Sequence, residues 1–570
     1  MARNIPKTAR GRVRRLEKIR NRYGPQERDE KFRILEALRR EPVDEARLLF
    51  RYHEALLFLR AYPDDREIFD LVRGECDRFL RRVRRLRRLD PDGAAELDDS
   101  GIAGTPVHYS YDIVTAGELI RWYGDDLEVD WDEIEETGGV DNLLALVAEW
   151  VENDGLDLAE METRDWIALR KGGRPVSDLR WLVENIERIK APHLVRRHLY
   201  DRIDLPVVWP LGDSDASRTT GRASDGPLFF HDGPLLRKIT DFRREITRPT
   251  PELPRVSRRE ADRLIRSVRC SLAVRHRALY PIEYANPDDV LVFEPGRGYR
   301  FVLYGMRHPH RLPWESDYGA LLVKNGYPVG YGVGAMLFEQ MEIAVNIFDT
   351  WRGGEAGYVF TQFVRAFHRH FGCTRFKIVR YQVGHENDEG LKSGSFWFYY
   401  KLGFVPKDPA VRRLAAKEAA KIRRDRSYRT PIGTLEKLAV SDLFFDLRHD
   451  PRKMPDEFPL ADLSTSTTKW IGERFGGDGR LARRECAETV ARALGCRGWK
   501  RWPAPEREWL GRLAIPLARI RGLERWSAGE KGELVALVRA KGKPQETEYA
   551  RRMIKATRLR RALERMARTD

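Results

Sequence analysis

Cysteine is scarce in this chain of 570 residues. The number of cysteines is odd, and no two of them have CxxC spacing. A disulfide framework and a cysteine-based zinc site are therefore not expected, and reduced thiols of the cytoplasm fit the pattern better. The five positions are Cys76, Cys270, Cys373, Cys486 and Cys496.

Long apolar runs are also missing. No uncharged stretch approaches the roughly 18 residues that span a bilayer, and the N-terminal residues form no apolar signal core. We therefore expect a cytoplasmic protein without membrane insertion. His308 and His310, like His368 and His370, are two positions apart rather than four, so no metal site is expected.

Charge is abundant and unevenly distributed. The formal net charge is +16 and the sequence pI is about 9.6. The net charge is +10 over 1–90, −19 over 91–170, +9 over 171–408 and +16 over 409–570. A basic protein of this kind raises the question of a polyanionic partner, such as nucleic acid or the ribosome.

Composition and helical or strand-like periodicity predict an α/β core between large, mostly α-helical N- and C-terminal regions. Linkers rich in Pro and Gly mark the boundaries. The predicted regions are a basic Arg-rich helical region at 1–90, an acidic-then-mixed and mostly helical region at 91–250, an α/β domain at 251–408 with its core at 290–408, and a basic helical region at 409–570.

The densest basic run is Arg81–Arg88, which contains six arginines. It is typical of a solvated helix face, of a helix that packs on the acidic block Asp125–Glu136, or of a contact with a phosphate backbone. Few aromatic residues are interleaved with the arginines to stack on bases. The sequence leaves these interpretations open.

From about residue 290 the pattern becomes strand-like. Asn325-Gly326 predicts a tight hairpin, and the alternating Gly330, Gly332 and Gly334 predict a strand that something approaches closely on one face. A strand over 339–351 then leads into a glycine-rich turn and an apolar helix. The free amides of such a helix N-terminus suit a pyrophosphate.

Two short motifs stand out in this segment, Trp351-Arg352-Gly353-Gly354-Glu355-Ala356-Gly357 and Phe398-Tyr399-Tyr400-Lys401-Leu402-Gly403-Phe404. The first resembles the pyrophosphate loop of the GNAT superfamily of acetyl-CoA-dependent N-acetyltransferases, and the second resembles a motif near the end of that family's fold. The resemblance covers about residues 290–408 and implies a mixed, mostly antiparallel sheet with flanking helices. Glu355 stands where the family has glycine, and Lys392 where it often has asparagine.

The resemblance implies acetyl-CoA or another acyl-CoA as the co-substrate, no metal, and a role for each motif residue. Glu342 is the candidate general base, and Tyr399 is the candidate general acid. The candidates for holding the cofactor are the backbone near Ile347, expected to be bulged, and the loop residues Arg352, Gly353, Gly354, Ala356 and Gly357.

Two functions of different classes are consistent with these features. The first is an N-acetyltransferase that acts on an amine-bearing acceptor chosen by the helical regions. The second is a catalytically degenerate GNAT-like protein that binds nucleic acid or the ribosome, or acts as a scaffold, through its basic helical arms. The sequence identifies neither the acceptor nor the oligomeric state.

Overall fold

The computed structural model describes residues 5–134, 138–152, 154, 161–450 and 456–569. The chain is a mixed α/β protein with many helices and a large, mostly antiparallel sheet, as the sequence predicts. A second, three-stranded sheet is small. The strands of the small sheet are β1 (Pro106–His108), β2 (Glu128–Val129) and β3 (Val207–Pro210).

The large sheet has eight strands in the order β10-β11-β9-β8-β7-β6-β5-β4. All neighbouring pairs are antiparallel except β8 and β9, which are parallel. The strands are β4 (Ala285–Gly296), β5 (Tyr299–Met306), β6 (Ser316–Lys324), β7 (Tyr327–Leu337), β8 (Gln340–Ile347), β9 (Arg375–Ile378), β10 (Val405–Pro406) and β11 (Leu443–Asp446).

The helices before the large sheet form two groups. The first group is α1 (Ala9–Ile19), α2 (Pro25–Arg40), α3 (Ala46–Ala61), α4 (Arg66–Cys76), α5 (Phe79–Leu89) and α6 (Pro91–Ala95). The second group is α7 (Ile113–Tyr123), α8 (Gly138–Val147), α9 (Thr163–Lys171), α10 (Asp178–Arg188) and α11 (His193–Asp201).

The remaining helices flank the large sheet or follow it. Those that flank it are α12 (Phe242–Thr247), α13 (Arg258–Ala273), α14 (Tyr280–Glu283), α15 (Ala356–Phe371), α16 (Asp388–Ser393), α17 (Ser395–Lys401), α18 (Pro409–Arg424) and α19 (Ile432–Ala439). Those that follow are α20 (Leu460–Phe475), α21 (Gly479–Ala493), α22 (Ala504–Ala518), α23 (Ala528–Lys541), α24 (Thr547–Lys555) and α25 (Thr557–Thr569).

Three hydrophobic cores hold these elements together. The first helices, α1 to α5, share one continuous core with the large sheet and α15. The elements from β1 to β3 bury a second core, which also takes residues from the end of α13. Helices α20 to α25 enclose the third core. The N-terminal helices are therefore packed directly on the sheet that carries the candidate motifs.

Close packing of α15 on the sheet explains the alternating glycines of β7. A Cβ atom on Gly332 would lie 2.9 Å from the ring of Phe363, and one on Gly334 would lie 2.6 Å from the ring of Phe367. Real Cβ atoms do not approach other atoms this closely, so only glycine lets the aromatic face of α15 reach the strand. These two glycines accommodate the protein's own helix.

The sheet takes one strand from the region predicted to be helical. Strand β11 lies between β9 and β10, and it pairs antiparallel with both. Its apolar run Leu443-Phe444-Phe445 is too short to be distinguished from a helix segment by periodicity. This strand lies within 409–570, which was predicted to be a basic helical region, and it was not predicted.

The basic run forms α5, and half of its arginines pair with nearby carboxylates. Arg82 lies 2.6 Å from Glu75, Arg85 lies 2.9 Å from Asp44, and Arg87 contacts Asp98. Within the described residues, no ion pair joins this run to the acidic block 125–136, of which 135 and 136 lie outside the description. Its partners are instead local.

No helix in the described part of the chain is long and apolar enough to cross a bilayer.

Candidate functional site

The parallel pair β8–β9 is joined along only part of its length. Gln340, Met341 and Glu342 pair with Arg375, Phe376 and Lys377, and no later residue of β8 pairs with β9 in the described structure. On its other edge β8 stays paired with β7 as far as Ile347. Residues 344–347 of β8 are half-buried. This second half of β8 therefore has one ladder partner and an open edge.

The ladder of β8 with β7 is regular. Its pairs run from Gly330 and Ile347 to Leu337 and Gln340 without a register shift. The bulge expected near Ile347 is therefore absent. The carbonyl oxygen of Ile347 accepts a hydrogen bond of 3.3 Å from Arg352 Nε.

Glu342 lies at the paired end of β8, beside a lysine. The side chain is 46% exposed, and its Oε2 lies 3.5 Å from Lys377 Nζ. Burial alone would lower the pKa of Lys377, but Glu457, Asp442 and Glu342 raise it well above its ordinary value. Lys377 therefore stays a charged ammonium at neutral pH. It competes with any incoming amine for the carboxylate of Glu342.

A cavity of about 210 Å³ surrounds this carboxylate. Glu315, Glu342, Lys377 and Arg560 are among the residues that line it. Burial and the charge of Glu342 raise the pKa of Glu315. The lining thus includes both carboxylates and cations, and the cavity could hold an amine or another small polar group.

The loop between β8 and α15 is closed by the protein itself. A Cβ atom on Gly354 would lie 2.5 Å from the hydroxyl of Tyr62, and one on Gly357 would lie 2.6 Å from the carbonyl oxygen of Arg237. Gly354 and Gly357 are buried, while Gly353 and Ala356 are half-buried. The glycines allow close approach, and the groups that approach belong to this chain.

Tyr62 packs against the loop that leads into α15. Its hydroxyl lies 2.8 Å from the hydroxyl of Tyr299, and a Cβ atom on Gly354 would collide with it. Burial raises the pKa of Tyr62, so this group is a neutral phenol. A helix N-terminus attracts anions through its free amides, and here the buried phenol crowds the glycine loop that precedes them.

Glu355 faces away from the loop, into a buried cluster. Its Oε1 accepts from Arg297 Nη2 at 2.5 Å and from the amide of Leu236 at 2.9 Å. Its Oε2 lies 3.6 Å from Lys324 Nζ. Burial lowers the pKa of Lys324 to about 7 against the opposing charge of Glu355. Glu355, which stands where the GNAT loop motif has glycine, therefore forms ion pairs inside the protein.

Arg352 is the exposed member of the loop. Its guanidinium lies 2.7 Å from Asp349 and also contacts Glu389 on α16. Because these carboxylates are exposed, an incoming anion could compete with them for Arg352. Lys392, at the family's asparagine position, is exposed and lies 3.3 Å from Asp388.

Tyr399 is buried among aromatic rings. It is 5% exposed, and its ring centroid lies 5.3 Å from that of Phe360 and 6.0 Å from that of Phe404. Burial raises the pKa of Tyr399, and its hydroxyl has no hydrogen bond to any described residue. The phenol is therefore neutral and has a free donor.

Glu342 and Tyr399 are not brought into contact. Tyr399 packs on Phe360 in the first turns of α15, whereas Met341, next to Glu342, lies at the level of Phe367. Seven helical residues separate these two levels, which is about 10 Å along the axis. Local motifs predicted Glu342 and Tyr399 individually but not the distance between them. Sequence reasoning also missed Tyr62 and Arg237, because no local pattern links either residue to the loop that it contacts.

No group of three or more His, Cys, Asp or Glu side chains suited to a metal ion is present among the described residues. Comparison with protein-family models, with curated proteins and with solved structures finds no match for this chain.

Proposed function

We propose that this chain is an acyl-CoA-dependent N-acyltransferase that acts on an amine-bearing acceptor. The observation that carries the proposal is the open edge of β8, next to a parallel partner that leaves it after three residues. A glycine-rich loop and a long helix follow this edge directly. The sequence motifs around Arg352 and Tyr399 also support the proposal.

In this reaction the amine nitrogen attacks the thioester carbonyl, an N–C bond forms and the C–S bond breaks. Glu342 accepts the proton of the amine, and Tyr399 returns a proton to the departing thiolate. Because Glu342 and Tyr399 lie at levels about 10 Å apart along the axis of α15, the amine proton reaches Glu342 through water. Lys377, 3.5 Å away, orients the carboxylate of Glu342.

Entry of the pyrophosphate at the loop requires Tyr62 to give way. Its hydroxyl packs against Gly354 of the loop, and a phosphate oxygen bound there would displace it. The free enzyme therefore holds a closed loop, and acyl-CoA must compete with an internal contact. This predicts an affinity that depends on Tyr62.

Calorimetric titration with acetyl-CoA tests the proposal. We expect binding to the wild type and binding about tenfold tighter to Tyr62→Phe, because that variant removes the hydroxyl that crowds the loop; tenfold corresponds to about 1.4 kcal/mol. The matched control is Tyr52→Phe on α3, the helix that Tyr62 directly follows; the buried hydroxyl of Tyr52 has no partner among the described residues. No heat at millimolar acetyl-CoA in either Tyr62 form would overturn the proposal.

A second candidate function, binding of nucleic acid by the basic arms, is favoured by the outer face of α5. Arg81, Arg84 and Arg88 are exposed and form no ion pair with any described residue. Their spacing of three and four places them along one stripe of the helix. This stripe could follow a phosphate backbone while the acyltransferase-like segment remains structural.

The salt dependence of RNA binding tests this candidate. Each phosphate contact contributes about 0.7 to the slope of log K against log salt for a single strand, so replacing Arg81, Arg84 and Arg88 with Gln lowers the slope by about 2. Changing the exposed Arg164, Arg188 and Lys190 to Gln removes the same charge elsewhere and leaves the slope intact. Equal slopes in the two variants would exclude α5 as the contact.

A further inference from the structure

A cavity of about 360 Å³ opens between α13, the loop 215–222 and the start of β7. Its lining is dominated by guanidinium groups, with one carboxylate, Asp215, among the lining residues. Trp351 forms part of the wall. The six lining arginines are Arg60, Arg218, Arg222, Arg263, Arg266 and Arg275.

Four of these arginines are neutralised by carboxylates of the protein. The pairs are Arg218 with Glu54 at 2.6 Å, Arg222 with Asp225 at 2.7 Å, Arg263 with Glu260 at 2.8 Å and Arg266 with Asp215 at 3.1 Å. Arg60 and Arg275 form no ion pair with any described residue. The cavity therefore has two guanidinium charges in excess.

Arg60 is held rigidly at the wall of the cavity. It is 3% exposed, it donates to the carbonyl oxygens of Thr219 and Arg218, and its guanidinium lies 3.8 Å from the ring centroid of Tyr327. Its Nε is buried and has no hydrogen-bond partner among the described residues. A buried donor without a partner costs free energy, so the guanidinium of Arg60 is kept in place at this cost.

Arg275 is the second uncompensated cation. It donates to the carbonyl oxygen of Ser271 at 2.6 Å, and its guanidinium lies 4.2 Å from the ring centroid of Phe348. Burial, and then the positive charge of Arg218, lower its pKa well below the ordinary value. Its surroundings thus disfavour the positive charge that a guanidinium almost always keeps.

We propose that this cavity binds the phosphate group of a phosphate monoester. A dianion supplies the two missing charges, and guanidinium groups match phosphate oxygens with charge-assisted hydrogen bonds. Ser267 and Tyr123 also line the cavity. The volume lies at the low end of the range for small-molecule sites, which leaves room for a small organic group beyond the phosphate.

This site is distinct from the acyl-CoA loop in its chemistry. The loop offers glycine amides that Tyr62 crowds, whereas the cavity offers guanidinium groups. Trp351 borders the cavity, and Arg352, the next residue, begins the loop. The proposal does not rest on acyl transfer, because the excess charge is present whether or not the loop binds a cofactor.

Calorimetric titration of the full chain at constant ionic strength tests the proposal. The probes are inorganic phosphate, AMP and adenosine. We expect phosphate and AMP to bind and adenosine not to bind. Equal affinity for phosphate and AMP identifies free phosphate as a sufficient ligand, and tighter AMP binding means that the organic part also contacts the cavity; both outcomes support the proposal.

Variants assign the binding to the cavity. Arg275→Gln should weaken AMP binding by about tenfold or more. Arg275→Lys should lose less of the affinity for AMP, because it retains the positive charge. Arg277→Gln is the matched control, since Arg277 is exposed and two residues away. Because Arg60→Gln removes structural hydrogen bonds, Arg275 gives the deciding result. Unchanged AMP affinity in Arg275→Gln, or binding of adenosine equal to that of AMP, would overturn the proposal.

Discussion

At the scale of single residues, Asp317 is the carboxyl group least suited to its surroundings. It lies on β6, it is buried, and its Oδ1 has no hydrogen-bond partner among the described residues. Burial, and then the charges of Glu546, Glu315 and Glu342, raise its pKa to about 7. The folded protein therefore binds a proton here that the unfolded chain releases near its ordinary pKa of 3.8.

Replacing this group should stabilise the protein at neutral and alkaline pH. The raised pKa means that stability is lost as the pH rises from about 4 through 7, and Asp317→Asn removes this loss. Each pKa unit corresponds to about 1.4 kcal/mol, so the gain is at most about 4 kcal/mol above pH 7 and vanishes near pH 4. Urea unfolding across this range measures it. The exposed control Asp232→Asn should show no such trend, and a gain independent of pH would contradict the assignment.

The variant Tyr399→Phe distinguishes a catalytic role of this residue from a structural one. Its hydroxyl has no hydrogen-bond partner among the described residues, so Tyr399→Phe should change the free energy of unfolding by less than about 0.5 kcal/mol. Turnover, measured as CoA release from acetyl-CoA with a panel of amines, should fall by about 100-fold or more. The neighbour Tyr400→Phe serves as the control. Turnover that is equal in Tyr399→Phe and the wild type would remove Tyr399 from the role of general acid.

At the scale of elements, the contact between β7 and α15 depends on missing side chains. Gly334→Ala would place a Cβ atom 2.6 Å from the ring of Phe367 and 2.5 Å from Met341 Cε. Overpacking of this kind costs about 1–3 kcal/mol. Denaturant unfolding of the variant should show this loss.

Replacing Phe367, whose ring faces Gly334, with a smaller side chain should recover part of the stability lost in Gly334→Ala. Phe367→Leu makes room for the new methyl group, so the double variant should be more stable than the sum of the single effects predicts. Gly472→Ala on α20 meets no atom within 4 Å and should stabilise the helix by up to about 1 kcal/mol. If the changes in the free energy of unfolding of Gly334→Ala and Phe367→Leu simply add in the double variant, the two side chains are not in steric conflict.

Local patterns predicted the elements around the loop, because each is specified within a few residues. Asn325 and Gly326 turn the chain with φ of 50° and 87°, and Gly372 ends α15 with φ of 101°. What local patterns could not predict is contact over long separations. Tyr62 is almost 300 positions from the loop that it contacts, and only the shared core of the N-terminal helices and the sheet brings it there.

The candidate sites show the same limit. Glu342 and Tyr399 were found from their motifs, but their separation depends on the packing of α15. The arginines of the further cavity lie between positions 60 and 275 and form no motif. Their excess charge depends on which carboxylates the fold places beside each guanidinium.

At the scale of the whole molecule, a buried polar network joins the third core to the sheet. Arg311 is fully buried and donates to the carbonyl oxygens of Lys541, Lys543 and Pro544, each at 2.7 Å. Glu546 contacts Lys541, and its amide donates to Asp289 of β4 at 2.9 Å. These groups have little access to water, so their hydrogen bonds depend on docking of the C-terminal helices.

Arg311→Met should therefore uncouple the C-terminal helices from the sheet. It leaves four carbonyl oxygens, that of Met306 included, and part of the charge of Glu546 without their partner, at a cost of about 3–5 kcal/mol. We expect calorimetry to show an early transition of the 456–569 region, ahead of the sheet, where the wild type unfolds these parts together. Arg512→Met, which loses one bond to Pro309 at the same junction from a more exposed position, should keep the single transition. A single transition in Arg311→Met as well would show that apolar packing alone holds the two regions together.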